Sequence, residues 1–155
     1  MAICVGEIQD LYKWGCINVP EELLQQLLPG PVTLCFKRKD LVNPELNPGA
    51  ELVGIRIPDH AFIREVCRTT NLPLALTSAN VSATESSLSI NEFKDLHNKL
   101  NFIFDGGTVG LTEQTRLGST IVDLSKTGYF NIIRKGCAEE DTVEKLIKFG
   151  LNYEN

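Results

Sequence analysis

Leu52-Val-Gly-Ile-Arg-Ile-Pro58 is an apolar segment that carries one cation and predicts a strand running through the core. Strand side chains alternate between two faces, so Ile55 and Ile57 share one face while Gly54 and Arg56 share the other. A guanidinium there must reach water, pair with a carboxylate or face an anionic ligand. The residues leave a structural salt bridge and a carboxylate or phosphate site as equal alternatives, and Gly54 predicts room beside the backbone.

Two other segments place polar groups at the ends of apolar strands, and they are Leu74-Ala-Leu-Thr-Ser-Ala-Asn80 and Arg116-Leu-Gly-Ser-Thr-Ile-Val-Asp123. Ser78 and Asn80 follow a buried strand, where ligands gather in α/β sheets. Ser119 begins a later strand, and Arg134 ends the last one. Buried polar groups without partners cost about 1–3 kcal/mol each, so the protein or a ligand must supply partners. For Ser78 and Asn80, a plain turn stays the alternative.

The composition indicates one globular domain, with 155 residues, 43% of them hydrophobic and 23% charged. The net charge of −5 gives no overall attraction to nucleic acid. Five cysteines without a C-x-x-C pair argue against a zinc site and for reduced thiols in a reducing compartment. The sequence shows no apolar run of about 18 residues and no targeting segment. We therefore expect no membrane span and a cytoplasmic location, with the mitochondrion open to a longer form.

Apolar periodicity and turn signals predict a mixed succession of strands and helices. Strands are expected at 2–6, 32–37, 52–57, 74–77, 102–104, 119–124 and 129–134, and helices at 7–14, 20–28, 59–70, 89–100 and 139–149. Asp59 is the expected N-cap of the third helix, and Ser89 with Glu92 the capping box of the fourth. Strands and helices do not alternate strictly, which predicts a mixed-sheet α/β fold, an α+β sandwich. We expect one domain over 1–150 and a tail over 151–155.

Five short motifs follow one another in an order and spacing that resemble one family. They are Pro29-Gly-Pro-Val-Thr-Leu34, Gly54-Ile-Arg-Ile-Pro58, Thr77-Ser-Ala-Asn80, Gly118-Ser-Thr-Ile-Val-Asp123 and Ile133-Arg-Lys-Gly136. Together they resemble the threonylcarbamoyl-AMP synthases of the YrdC-like domain family. The segments Leu46-Asn-Pro48 and Ser86-Ser-Leu88 resemble the animal form of that family. The resemblance covers essentially the whole chain and implies a twisted mixed β-sheet flanked by helices.

The resemblance implies an enzyme that makes threonylcarbamoyl-adenylate from L-threonine, bicarbonate and ATP, for N6-threonylcarbamoyladenosine modification of tRNA next to the anticodon. Carried over by motif, the threonine contacts would be Arg56, Ser78 and Ser119, and the ATP contacts Asn80, Ser87 and Arg134. The resemblance also implies Mg²⁺ with ATP, a downstream tRNA threonylcarbamoyl-transfer machinery as partner, and RNA contact. No residue stands out as a general acid, general base, nucleophile or metal ligand, so we expect catalysis by positioning and charge stabilisation.

The sequence departs from the family pattern at its start. The family's Pro-Thr-Glu-Thr-like segment and its Lys-x-Arg loop are not found in the sequence, and the strand at 2–6 resembles the strand that follows this loop. We therefore expect a domain truncated at its N-terminus. One alternative is a catalytically inactive short form that acts as an RNA-binding or regulatory module. Another is a carbamoyl-transferring maturation factor that contains a similar domain.

Overall fold

The chain forms one mixed β-sheet with helices packed against it. The structure is a computed structural model, and it describes residues 1–80, 86–110 and 116–154. In these ranges the strands are β1 (Ala2–Cys4), β2 (Val32–Lys37), β3 (Leu52–Arg56), β4 (Leu74–Leu76), β5 (Thr120–Asp123), β6 (Tyr129–Arg134) and β7 (Asn152–Tyr153). The helices are α1 (Ile8–Trp14), α2 (Glu21–Leu27), α3 (Ala61–Thr70), the 3₁₀ helix Ile90–Lys99 and α4 (Glu139–Lys148).

The strand order across the sheet is β4-β1-β3-β2-β5-β6-β7. The pairs β1–β3, β2–β5 and β6–β7 run parallel, whereas β1–β4, β2–β3 and β5–β6 run antiparallel. This mixture confirms the predicted mixed-sheet α/β class. Within the described residues, no helix combines the length and apolar character needed to cross a membrane.

One side of the sheet, the packed face, carries the hydrophobic core. Its strand residues are Val32, Leu34, Phe36, Val53, Ile55 and Val122. Helices α1, α2 and α4 cover them with the buried leucines Leu11, Leu23, Leu24, Leu27 and Leu146. The apolar residues whose spacing predicts these helices are therefore the residues that contact the core.

The opposite side, the polar face, is built from the alternate residues of the same strands. Arg56 pairs with Cys4 of β1, and Gly54 pairs with Cys35 of β2. Helix α3 covers one part of this face, where the sulfur of Cys67 lies 3.7 Å from the sulfur of Cys4. The polar face therefore includes buried thiols as well as the cation that the sequence places on β3.

The predicted strand at 102–104 is wrong. Phe102 and Phe104 are 81% and 72% exposed and belong to no strand. The ring of Phe104 packs against the ring of Phe62 on α3, with 5.2 Å between centroids. A three-residue apolar run does not distinguish a strand from an extended loop, and here ring contacts replace backbone pairing.

The predicted N-cap Asp59 is wrong, whereas Ser89 is the N-cap residue as predicted but does not form the predicted capping box. Helix α3 begins at Ala61 with His60 at its N-cap, and the side chain of Ser89 makes no capping hydrogen bond. The carboxylate of Glu92 instead accepts hydrogen bonds from the backbone N–H of Leu88 at 3.3 Å and from Arg116 at 2.8 Å. Arg116 is distant in sequence, so a local capping rule cannot include its charge.

Part of the predicted tail over 151–155 belongs to the sheet. Leu151 is buried, β7 pairs in parallel with β6, and the ring of Tyr153 packs edge-on against Phe130 at 5.0 Å. Lys126 binds the carboxylate of Glu154 at 2.9 Å. A two-residue strand has no readable periodicity, so only its tertiary contacts reveal it.

Candidate functional site

Arg56 is the central cation of the polar face. Its Nε is buried and has no hydrogen-bond partner among the described residues, and no described carboxylate lies within ion-pair distance of its guanidinium. Burial lowers the pKa of Arg56, and the nearby positive charge of Arg134 lowers it further. The structural salt bridge, one of the two alternatives for this residue, is therefore not formed by the described residues. A half-buried cation in this state favours an anionic partner.

Ser119 and Arg134 form a hydrogen-bonded pair at the start of β5 and the end of β6. Arg134 Nε and Nη2 both donate to the backbone oxygen of Ser119, at 3.1 and 2.7 Å, and Nη2 also donates to Ser119 Oγ at 3.1 Å. Gly118 has a φ of +68°, and a Cβ there would lie 3.2 Å from Arg134 Nη2. Gly118 thus accommodates both the left-handed backbone and the overlying guanidinium.

Thr33 on β2 is a polar residue of this site that the sequence interpretation did not assign. It is 4% exposed, and its Oγ1 lies 2.9 Å from Ser119 Oγ. Thr33 is a polar residue in an apolar strand, two residues after Pro31, and Arg56 is also a polar residue in an apolar strand. The same sequence pattern could therefore have identified Thr33. A buried hydroxyl in a strand needs a partner, and Ser119 is that partner.

Gly54 does not provide the free space that its position predicts. A Cβ at Gly54 would lie 3.2 Å from Thr33 Cγ2 and 3.3 Å from the Cβ of Ala2. Side chains of both neighbouring strands therefore fill the space beside the backbone. The glycine allows these neighbours to pack closely, and it does not open a path for a ligand to the main chain.

Ser78, Asn80 and Ser87 lie in the segment that follows β4. In β4, Leu76 pairs with Ala2, whereas Arg56 pairs with Cys4 at the other end of β1. Ser87 Oγ donates to the backbone oxygen of Ala79 at 2.8 Å, so this hydroxyl helps to hold the loop after β4. Residues 81–85 between these side chains lie outside the described ranges. The substrate roles assigned to all three by motif stay predictions.

Two buried thiols of the polar face are poor nucleophiles. Burial raises the pKa of Cys4 to about 12, with Cys67 adding to the shift, and burial with the charge of Asp123 raises the pKa of Cys35 to about 12. Both thiols are therefore protonated at neutral pH, and the thiolate is the reactive form. This part of the site lacks an activated sulfur.

The described residues favour anion binding over covalent chemistry. Arg56 and Arg134 supply positive charge, and Ser119 supplies a hydroxyl held between Arg134 and Thr33. No group of three His, Cys, Asp or Glu side chains within 1–80, 86–110 and 116–154 converges to hold a metal ion. Such an arrangement can align a carboxylate or a phosphate and offset its charge.

The comparisons with known proteins identify relatives of this chain. The sequence matches the family model of the Sua5, YciO and YrdC proteins, described as "Telomere recombination", over residues 1–136. It is 51% identical over 153 residues to the threonylcarbamoyl-AMP synthase of Bos taurus, covering 97% of this chain and 55% of that protein. The chain thus spans about half the length of the curated relatives it matches.

Solved structures show the same fold. A structure of P. abyssi Sua5 complexed with L-threonine matches with a TM-score of 0.79 and 27% identity, covering 99% of this chain and 44% of that chain. The structure of E. coli YciO matches with a TM-score of 0.73 and 20% identity, covering 87% of this chain and 65% of that chain. The second likeness concerns the fold alone.

Proposed function

The chain belongs to the Sua5/YciO/YrdC family, and from this premise we propose that it takes part in threonylcarbamoyl-AMP synthesis. The substrates would be L-threonine, bicarbonate and ATP, and the products threonylcarbamoyl-adenylate, diphosphate and the water released when the amine and bicarbonate form the carbamate. Relatives named threonylcarbamoyl-AMP synthase and a related Sua5 structure with bound L-threonine support this proposal.

The observation that carries the proposal is the half-buried guanidinium of Arg56, whose Nε is buried. Its Nε has no hydrogen-bond partner among the described residues, and its pKa is lowered by burial. A planar guanidinium can bind both oxygens of a carboxylate, and such a contact would offset the cost of burying the charge. The carboxylate of L-threonine is an anion of this kind.

The remaining roles follow from the family motifs. Ser78 and Ser119 would contact threonine with Arg56, while Asn80, Ser87 and Arg134 would contact ATP. The hydrogen bonds from Arg134 to Ser119 support a close arrangement of the two substrates. One residue group would then hold both reacting molecules.

The chemistry would be attack of the threonine-derived carbamate on the α-phosphate of ATP. A new bond forms between a carbamate oxygen and phosphorus, while the bond from phosphorus to the diphosphate oxygen breaks. Arg56 and Arg134 would bring two anions together and offset their repulsion, which is catalysis by positioning and charge. Mg²⁺ prefers phosphate oxygens and water, so it would arrive with ATP rather than occupy a site of its own.

The biological context is part of the same proposal. The adenylate would pass to a downstream machinery that transfers threonylcarbamoyl to tRNA next to the anticodon. A cytoplasmic location fits the free cysteines among the described residues, and a longer form could also serve the mitochondrion. Direct RNA contact has less support, since the net charge of −5 gives no overall attraction for phosphates.

An Arg56→Ala substitution tests the role of the central cation. We expect its affinity for L-threonine to fall about 10- to 100-fold, because hydrogen bonds to charged groups contribute about 1.5–3 kcal/mol. Affinity for ATP should change far less. Both affinities are measured by calorimetry on the full chain, together with diphosphate release in the presence of threonine and bicarbonate.

Arg68→Ala is the matched control. Arg68 forms ion pairs with Glu7 and Glu65 on the surface of α3, so its removal should leave both ligand affinities unchanged. An unsubstituted chain that neither binds threonine nor releases diphosphate would contradict the proposed function. Equal loss of threonine and ATP affinity in Arg56→Ala would contradict only the role assigned to Arg56, and not the proposed function.

A further inference from the structure

Thr33 holds the hydroxyl of Ser119 from within the sheet. Its Oγ1 lies 2.9 Å from Ser119 Oγ, and its methyl group faces Gly54, where a Cβ would lie only 3.2 Å away. Both branches of the Thr33 side chain are therefore in contact, one by a hydrogen bond and the other by packing. A β-branched side chain held in this way has a defined orientation.

The direction of the hydrogen bond between the two hydroxyls determines which of them can donate to a ligand. Each hydroxyl has one proton to donate and two lone pairs to accept with. Arg134 Nη2 donates to Ser119 Oγ at 3.1 Å and occupies one of its lone pairs. The proton shared between Thr33 and Ser119 can belong to either residue.

Each direction leaves one hydroxyl proton without an acceptor in the described part of the chain. Ser119 and Thr33 are similarly buried, at 5% and 4% exposed. If Ser119 donated, the proton of Thr33 would have no second acceptor among residues 1–80, 86–110 and 116–154. Water is not a ready substitute at such low exposure, and a buried hydroxyl without a partner is costly. If Thr33 donates, its proton is used, and Ser119 Oγ accepts from Thr33 and Arg134 together.

The second arrangement leaves Ser119 with one proton that points away from both of its partners. A bound acceptor beside Ser119 would use this proton, so both hydroxyl protons are satisfied when Thr33 donates to Ser119 and Ser119 donates to a ligand. Arg56 and Arg134 make the surroundings favourable for an anionic oxygen. We infer that Thr33 is a positioning residue that orients Ser119 as a hydrogen-bond donor to the carboxylate of the bound amino acid. The inference rests on the proposed function, because that function supplies L-threonine as the ligand.

The test compares Thr33→Val with Thr33→Ser in the full chain. Valine keeps the branched shape and removes the hydroxyl, whereas serine keeps the hydroxyl and removes the methyl group. We expect L-threonine affinity, measured by calorimetry, to fall about tenfold in Thr33→Val, the effect of one ligand hydrogen bond. Thr33→Ser should retain affinity close to that of the unsubstituted chain, and ATP affinity should be similar in all three proteins.

Thr142→Val is the matched control. Thr142 lies on α4, is fully buried, and its Oγ1 has no hydrogen-bond partner among the described residues. Its replacement should not change threonine affinity, which separates the effect of Thr33 from a general effect of losing a buried hydroxyl. Urea unfolding of each variant shows whether the fold is retained.

The outcomes separate this inference from the function on which it rests. No threonine binding by the unsubstituted chain overturns the proposed function and the inference together. Normal threonine binding with equal affinity in Thr33→Val overturns the inference alone. Thr33→Ser as weak as Thr33→Val also overturns it, because the methyl packing, and not the hydroxyl, would then be responsible.

Discussion

Val53 and Ile55 lie on the packed face of β3 and are almost completely buried, whereas Gly54 and Arg56 on the polar face of the same strand are half-buried. The packed face is closed by hydrocarbon contacts that need no further partner. The polar face holds a buried nitrogen, Arg56 Nε, without a partner in the described ranges. One strand therefore contributes stability through one face and a candidate ligand site through the other.

The two faces differ in how a substitution on each of them should affect stability. A cavity on the packed face removes contacts that nothing replaces. Removing a charge from the polar face also removes the cost of keeping that charge away from water. The following substitutions and conditions therefore test whether stability and binding are divided between the faces.

Phe36→Ala on the packed face should give the largest loss of stability. Phe36 is completely buried at the centre of the sheet. Its truncation should lower the free energy of unfolding by about 3–5 kcal/mol, the usual cost of removing a large core side chain. Urea unfolding followed by circular dichroism measures the change. A loss below about 1 kcal/mol would mean that the packed face is not the main source of stability.

Alkaline pH should lower stability through the buried thiols of the polar face. The pKa of Cys4 and Cys35 is about 12 in the folded chain against an ordinary value of 9.0, so folding favours the protonated thiol. This contribution is complete below pH 9.0 and is lost as the pH rises through the folded pKa values. Urea unfolding as a function of pH measures it.

A Cys4→Ala, Cys35→Ala double variant is the control for that measurement. Its unfolding free energy should decline less between about pH 8 and about pH 11 than that of the unsubstituted chain, because other groups titrate equally in both. Identical pH profiles would show that the thiols are not protected from water, and that the polar face is more open at these positions than the structure indicates.

Arg56→Met on the polar face should have the smallest effect on stability. Methionine fills much of the same volume with an apolar side chain, and it removes a charge that lacks a described partner. We expect the free energy of unfolding to stay within about 1 kcal/mol of the unsubstituted value or to increase. Urea unfolding measures this change alongside Phe36→Ala. A loss of stability as large as that of Phe36→Ala would contradict the division of stability and binding between the two faces.

Local pattern predicts most of the fold because most elements depend on their own periodicity. The strands at 32–37 and 129–134 have their predicted bounds, and most other helices and strands differ from prediction by one or a few residues at their ends. The segment at 102–104 and the two-residue strand β7 are the exceptions. Both are too short for periodicity to apply, so contacts with Phe62 and Phe130 determine their structure.

The candidate site is less predictable from sequence than the fold. Alternation along β3 places Arg56 on the face opposite Ile55, and the structure agrees. The contact between Thr33 and Ser119 joins residues 86 positions apart and has no local signal. The space expected beside Gly54 is filled by Ala2 and Thr33, which come from two other strands.

The sequence by itself determines which residues are apolar, where strands and helices form, and which motifs the chain shares with its family. These properties depend on neighbours within a few residues along the chain. Tertiary structure alone decides that Arg56 lacks a described carboxylate partner, that Ser119 is held between Arg134 and Thr33, and that Gly54 is closely packed. These are relations between strands that meet only when the sheet forms, because hydrogen bonds and packing depend on distance in space.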